Sequence, residues 1–282
     1  MTLGRPDPGP HRRPSLLASS YFTASIVALV AYGCGGGSSV EEAKRSMKQF
    51  ELAVGLQAEG NLPGAYHALY QAIELDPDNA HAHLLLGNLF LTHRDTDANI
   101  HDQEAEKELR EVLRIQASEA RAEENLGADA RTSLGVLFIN QRRLDEAVTI
   151  LNEAVADLFN RQAYLAWGNL GWAYSEKGQH QQAVQALTRA VQLNQRFCVG
   201  YFRLGQAFVG LQQMDQAETA LTRALEADER CGQFQDAWFL RGETRANLGH
   251  RADAITDFER CLELGPTTTS GQACKRYLEA TH

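Results

Sequence analysis

The stretch Trp167-x2-Leu170-Gly171-x2-Tyr174 most narrows what this chain can become. Trp167, Leu170 and Tyr174 recur at helical spacing and make one apolar stripe. Gly171 has no side chain, so a second helix can approach closely at that point. Gly178 closes the first helix with a residue that tolerates positive φ. Ala183, Leu187 and Ala190 then form the small, tight face of a second helix. One such hairpin cannot bury its own apolar face, so copies must stack beside it.

Copies are present on both sides. With Tyr164 as the first position, the template gives six hairpins, at about 46–79, 80–118, 128–161, 164–197, 198–231 and 235–268. The small residue and its apolar neighbours recur as Leu86-Gly87, Leu134-Gly135 and Leu204-Gly205, with Ala53 in the first copy and Gly242 in the last. Pro77 and Pro266 close second helices, because proline cannot continue one. The second copy runs late, and its extra residues are expected in a hairpin loop around 94–102. The alanine- and glutamate-rich stretch 119–127 is expected to extend the first helix of the third copy. In the sixth, Arg241 and Arg245 stand where Leu and an aromatic are usual. Residues 270–282 read as a capping helix with Ala273, Cys274, Tyr277 and Leu278 on one face, because a solenoid end needs a lid. Helical periodicity runs throughout and strand alternation does not. The pattern resembles the tetratricopeptide repeat, or TPR, which implies an all-α solenoid whose first helices line an inner face.

The first residues read as an address. Residues 1–33 hold three arginines and then an uncharged apolar run from Leu16 to Tyr32, the layout of a secretory signal. Ala31-Tyr32-Gly33-Cys34 resembles the bacterial lipobox, in which the cysteine is lipidated. Ala31 departs from the usual Leu there, and Tyr32 is bulky; an uncleaved signal anchor is the alternative. Lipid on Cys34 would hold the body to a membrane, and residues 34–45, opening Gly35-Gly36-Gly37-Ser38-Ser39, would serve as a flexible tether. Gly35 in place of Asp implies, by the same resemblance, the outer membrane.

The rest of the composition excludes several classes. The chain is 44% hydrophobic and 22% charged, as soluble globular proteins are. Its net charge is −9, and the basic leader makes the body more acidic still, which argues against nucleic acid. No nucleophile elbow, phosphate loop or Cys-x-x-Cys pair is present, so no enzyme and no cofactor are expected. Asp95-Thr96-Asp97-Ala98-Asn99 opens like a calcium loop, but Ile100 occupies the place that needs glycine. A polar loop is the plainer reading, with Asp102 or a neighbour capping the next helix. His81, His83, His93 and His101 are expected to be surface residues rather than metal ligands. Setting Cys34 aside leaves four cysteines, an even number that suits an oxidising compartment. Cys198 with Cys231, and Cys261 with Cys274, is the favoured pairing; four buried thiols remain an alternative, and spacing alone does not choose.

The inner face is expected to carry function. The template places that point into it hold Phe50, Val54, Leu84, Leu91, Val136, Ile139, Trp172, Phe202, Val209 and Phe239. So apolar a set, if exposed together, marks a partner site, although packing between first helices would account for some of it. Trp172 and Phe202 are the leading candidates, because large aromatics carry much of the energy of interfaces.

An exported, Cys-anchored chain of six TPRs resembles the type IV pilus pilotins of the PilF/PilW kind and the related social-motility lipoprotein Tgl. The match is closest at Leu134-Gly135-Val136-Leu137-Phe138, Asp145-Glu146-Ala147, Arg161-Gln162-Ala163-Tyr164 and Asn169-Leu170-Gly171. It is partial at Phe159-Asn160-Arg161-Gln162-Ala163, where the family carries an aromatic-Pro-Glu-Arg-Ser element. Membership would imply an outer-membrane lipoprotein, monomeric when free. It would bind secretin subunits and promote assembly of the ring through which pili pass. A general cell-envelope scaffold, for outer-membrane proteins or peptidoglycan enzymes, is the rival.

Overall fold

The computed structural model describes residues 38–93, 98–117 and 126–281, which form one compact unit. The leader 1–33, Cys34, the start of the tether, Asp95 to Asp97 of the calcium-like loop, and all but the end of the stretch 119–127 lie outside them. Thirteen α-helices and no strands occur among the described residues. They pair as α1 (Val40–Ala58) with α2 (Leu62–Leu75), α3 (Ala80–Thr92) with α4 (Ala98–Gln116), and α5 (Gly127–Asn140) with α6 (Leu144–Ala156). The series continues with α7 (Ala163–Glu176) and α8 (His180–Leu193), then α9 (Cys198–Gly210) and α10 (Met214–Glu226). After a 3-10 turn at Glu229–Gln233 come α11 (Gln235–Leu248), α12 (Arg251–Leu264) and the lid α13 (Thr269–Thr281).

Each hairpin is closed by sterics that the spacing encodes. The template glycine sits against the residue sixteen places on. A Cβ at Gly205 would stand 2.6 Å from Leu221 Cγ, and one at Gly242 would stand 2.7 Å from the Phe258 ring. Leu187 and Leu151 cover Gly171 and Gly135 in the same way. The turn between helices needs one left-handed residue. Gly60, Gly178 and Gly249 supply it with φ of 78°, 72° and 85°. Arg142 and Gln212 hold the same place at φ 62° and 59°, where a Cβ is strained.

Two boundaries differ from expectation. The helix α1 starts at Val40, so the last six residues assigned to the tether are helical. Ser39 accepts from the Glu42 amide while Glu42 accepts from the Ser39 amide, a reciprocal cap that nucleates the helix early. The second hairpin loop is shorter than expected because α4 already runs from Ala98. Asp102 therefore lies inside α4, buried, and accepts from Gln141 Nε2 at 3.3 Å.

Stacking buries a continuous apolar layer from Ala53 to Ala186, with smaller clusters around Leu204 and Phe258. The first helices α3, α5, α7, α9 and α11 touch one another in series, which makes them one wall. Polar ties cross the joints. The Arg143 guanidinium lies 4.1 Å over the Phe138 ring and donates to Glu106 and Glu146 at 2.7 Å. In the sixth hairpin, buried Asp257 accepts from Arg241 at 2.7 Å and 2.9 Å and from Arg245 at 2.9 Å. The two arginines thus replace apolar packing with a paired charge network. The lid seals the end: Cys274 is fully buried, and Tyr277 stacks on Phe258 at 4.6 Å.

Candidate partner-binding face

The wall of first helices presents its exposed side as a strip. Along α7, Asn169, Trp172 and Glu176 share one helical face by their spacing of three and four. Trp172 donates its indole N–H to Glu176 at 3.1 Å, and Glu176 also pairs with Arg142 from the preceding turn. Arg203 reaches across from α9. Its guanidinium lies 4.3 Å over the Trp172 ring and donates to Asn169 Oδ1 at 3.0 Å. Burial pulls its pKa down to about 10, against the opposing pull of the Glu176 charge. Further along the chain, Phe202 packs on Phe234 with ring centres 4.6 Å apart. Toward the first hairpins, Phe50 lies 5.5 Å from the His81 ring, and Ser133 donates to Asn88 at 2.7 Å.

The expected groove residues separate into groups. Val54 is 43% exposed. Phe50, Leu84, Leu91, Val136, Trp172, Phe202 and Val209 are half-buried, so each offers part of its surface. Ile139 is only 2% exposed and belongs to the core, a correction to its placement on the face. It packs inward because the cluster around Leu137 and Phe138 closes over it. Phe239 is half-buried and lies beside the stacked rings of Phe258 and Tyr277, at 6.3 Å and 6.2 Å, so the lid engages it.

The histidines are not all at the surface. His83 is buried, not superficial: its Nδ1 meets Glu108 at 2.5 Å and its Nε2 meets the Pro77 carbonyl at 3.0 Å. His101 stacks on Phe90 at 5.6 Å. No group of three His, Cys, Asp or Glu residues placed to hold a metal occurs among the described residues. Nor is any described helix long and apolar enough to cross a membrane. The cysteines are joined as Cys198–Cys231 and Cys261–Cys274, with Cα separations of 5.7 Å and 6.3 Å.

Two features escaped the sequence reading. A lone arginine on a helix, such as Arg203, reads from sequence as solvated. The turn between α6 and α7 is pinned by Asp157 and Asn160, yet turns Leu158 (95% exposed) and Phe159 (78%) to solvent. The template aromatics also leave gaps. Tyr201, Leu204 and Phe208 with Thr219 and Arg223 line an open crevice of about 370 Å³, and Trp167, Leu170 and Tyr174 line its counterpart one repeat earlier.

Stacked helical hairpins with a wall of first helices define a helical repeat scaffold. The chain belongs to the tetratricopeptide-repeat proteins: that family matches residues 50–108, 164–197 and 202–267, together more than half the chain. It is homologous to the type IV pilus assembly protein PilF of Pseudomonas aeruginosa, 28% identical over 144 residues. That match covers 51% of this chain and 52% of PilF, about half of the curated relative's length. The solved P. aeruginosa PilF superposes with a TM-score of 0.67 at 20% identity, over 84% of this chain and 99% of that one. PilW, a type IV pilus biogenesis factor, gives 0.68 at 18% identity, over 81% and 97%. A chain of the APC/C hetero-tetramer Cut9–Hcn1 also gives 0.68, at 15% identity, over 84% and 42%. Likeness of fold therefore does not select a partner. The chain is thus similar to PilF over about half its length, and in fold to both PilF and PilW.

Proposed function

We propose that this protein is an outer-membrane lipoprotein that binds the type IV pilus secretin and promotes its localisation and multimer assembly. The observation that carries the reading is the run of half-exposed apolar side chains on the wall of first helices, in a chain homologous to PilF. Such a wall suits an amphipathic or extended segment of a secretin subunit. Lipid on Cys34 fixes the body to the membrane, and the two disulfides belong to the oxidising periplasm. The scaffold itself does no chemistry.

Two experiments test it. Capture of the full chain from membranes, followed by mass spectrometry, is expected to recover the secretin. Recovery of barrel-assembly or peptidoglycan proteins without it would favour the general envelope scaffold. Changing Cys34→Ala is expected to leave a soluble periplasmic protein or an unprocessed precursor. Mature protein still fractionating with the outer membrane would sink the lipid anchor.

A further inference from the structure

We propose that the edge of the solenoid on which the first helices begin lies against a lipid surface, with Leu158 and Phe159 inserted into it. The inference rests on the chain being held to a membrane near Cys34, and adds which side of the body meets the lipid.

Exposed apolar side chains gather on this edge. Leu158 (95%), Phe159 (78%) and Val40 (75%) are the three most exposed large apolar residues among those described, and all three stand there. Leu193 at the end of α8 and Val199 at the start of α9 join them. The opposite edge, where second helices begin, carries only Ile100 of this kind among the described residues. The turn between α6 and α7 presents its pair rigidly. The Phe159 amide donates to Asp157 Oδ1 at 3.0 Å, and Asn160 Nδ2 donates to the Ala154 carbonyl at 2.9 Å. A leucine and a phenylalanine held in water forgo burial that insertion into a headgroup layer supplies.

The edge is tied together along its length. Ser38 Oγ donates to Asp76 Oδ1 at 2.8 Å, which fixes the start of α1 beside the α2–α3 turn. Arg114, near the end of α4, pairs with Asp78 of that turn at 2.5 Å. Tyr164 and Phe197 meet edge to face at 5.1 Å and join the starts of α7 and α9. Arg196 donates to Asp228, just before α11, at 2.8 Å.

The length of the tether selects lipid as the occupant. Cys34 precedes Ser38 by four residues, which span at most about 14 Å. The opposite edge stands a whole first helix away, about 20 Å along the 14 residues of α7. Lipid on Cys34, or an apolar leader left in place, therefore brings the edge of Leu158 and Phe159 to the bilayer. Charge does not oppose this. Arg161, Arg196 and Arg230 balance Asp157, Asp228 and Glu229 in the three turns that precede α7, α9 and α11, so the net charge of −9 is not concentrated there. In this orientation the first helices stand upright on the membrane, and a segment bound across them runs parallel to it.

The test uses the full chain in vesicles of phosphatidylethanolamine with a minor share of phosphatidylglycerol. A phospholipid with a diazirine on its acyl chain is included, and light attaches it to whatever it touches. Tryptic peptides read by mass spectrometry then locate the contact. Peptide 144–161 is expected to carry about tenfold more label than 178–189, which begins on the opposite edge. Leu158→Ser together with Phe159→Ser changes only exposed side chains, and melting should match the native protein. That variant should lower the label on the neighbouring 190–203 about threefold. Equal labelling of the two edges, or none on 144–161, overturns the proposal. Unchanged labelling of 190–203 in the double variant overturns the role of the pair. The mass of the N-terminal peptide reports lipid on Cys34 separately. Label on 144–161 without that lipid upholds the edge and sinks the anchor; lipid without the label sinks the edge alone.

Discussion

Single residues carry two measurable consequences. Gln212 holds a left-handed conformation at the place where Gly60, Gly178 and Gly249 stand in other turns. Relief of that strain, less the extra freedom of an unfolded glycine, is worth about 1 kcal/mol. Gln212→Gly should therefore raise the midpoint of thermal or urea unfolding, and an unchanged or lowered midpoint would contradict the strain. His83 gives the second. Burial disfavours its charged form, but the hydrogen bonds to Glu108 and the Pro77 carbonyl outweigh burial and lift its pKa above 6.5. Burial likewise penalises ionised Glu108, yet the bond to His83 holds it below 4.5. The raised histidine stabilises fully below 6.5 and loses that contribution as pH climbs through its folded pKa. The lowered glutamate stabilises above 4.5 and loses its share as pH falls through its folded value. Stability from the pair should thus be greatest between these limits and decline on the alkaline side. Melting curves from about pH 6 to pH 8 should show that decline in the native protein and lack it in His83→Asn.

At the level of the hairpin, what could be read from sequence follows a physical division. The glycine that faces Leu187 or Leu221 is set by contact across a single turn, so its spacing announces the hairpin. The start of α1 is just as local, and the reciprocal cap of Ser39 and Glu42 was there to be seen. Burial of His83 depends on Glu108, on the partner helix, and burial of Ile139 depends on how neighbouring clusters close. Arg203 owes its character to Asn169 on another hairpin. Spacing within one helix contains none of these facts. Arg241 and Arg245 stood out as departures, but their meaning required buried Asp257 one helix on. The lid shows a mixed case, since its apolar face was readable and its hold on Phe239 was not. The bridge Cys261–Cys274 closes a loop of 13 residues and should stabilise that end by about 3 kcal/mol. Alkylation of the native and reduced protein, read by mass spectrometry, should find both cysteines blocked until reductant is added. Reduction should then speed proteolysis of α13 ahead of the rest. Free thiols in protein from an oxidising compartment would contradict the bridge.

For the whole molecule, the stack is a rigid carrier for one long surface. The first four hairpins share a continuous core, and salt links such as Arg143–Glu106 cross their joints, so the wall is preorganised rather than assembled on binding. Preorganisation concentrates binding energy in a few anchors. Trp172 and Phe202 are the aromatic ones beside Arg203, and neither is needed to fill a template position. The decisive measurement is the amount of heat- and detergent-resistant secretin multimer in cells carrying Trp172→Asp together with Phe202→Asp. The variant's abundance and melting must first match the native protein. Loss of multimers from such a folded variant is the expected result; multimers at native levels would contradict the first-helix wall as the secretin site.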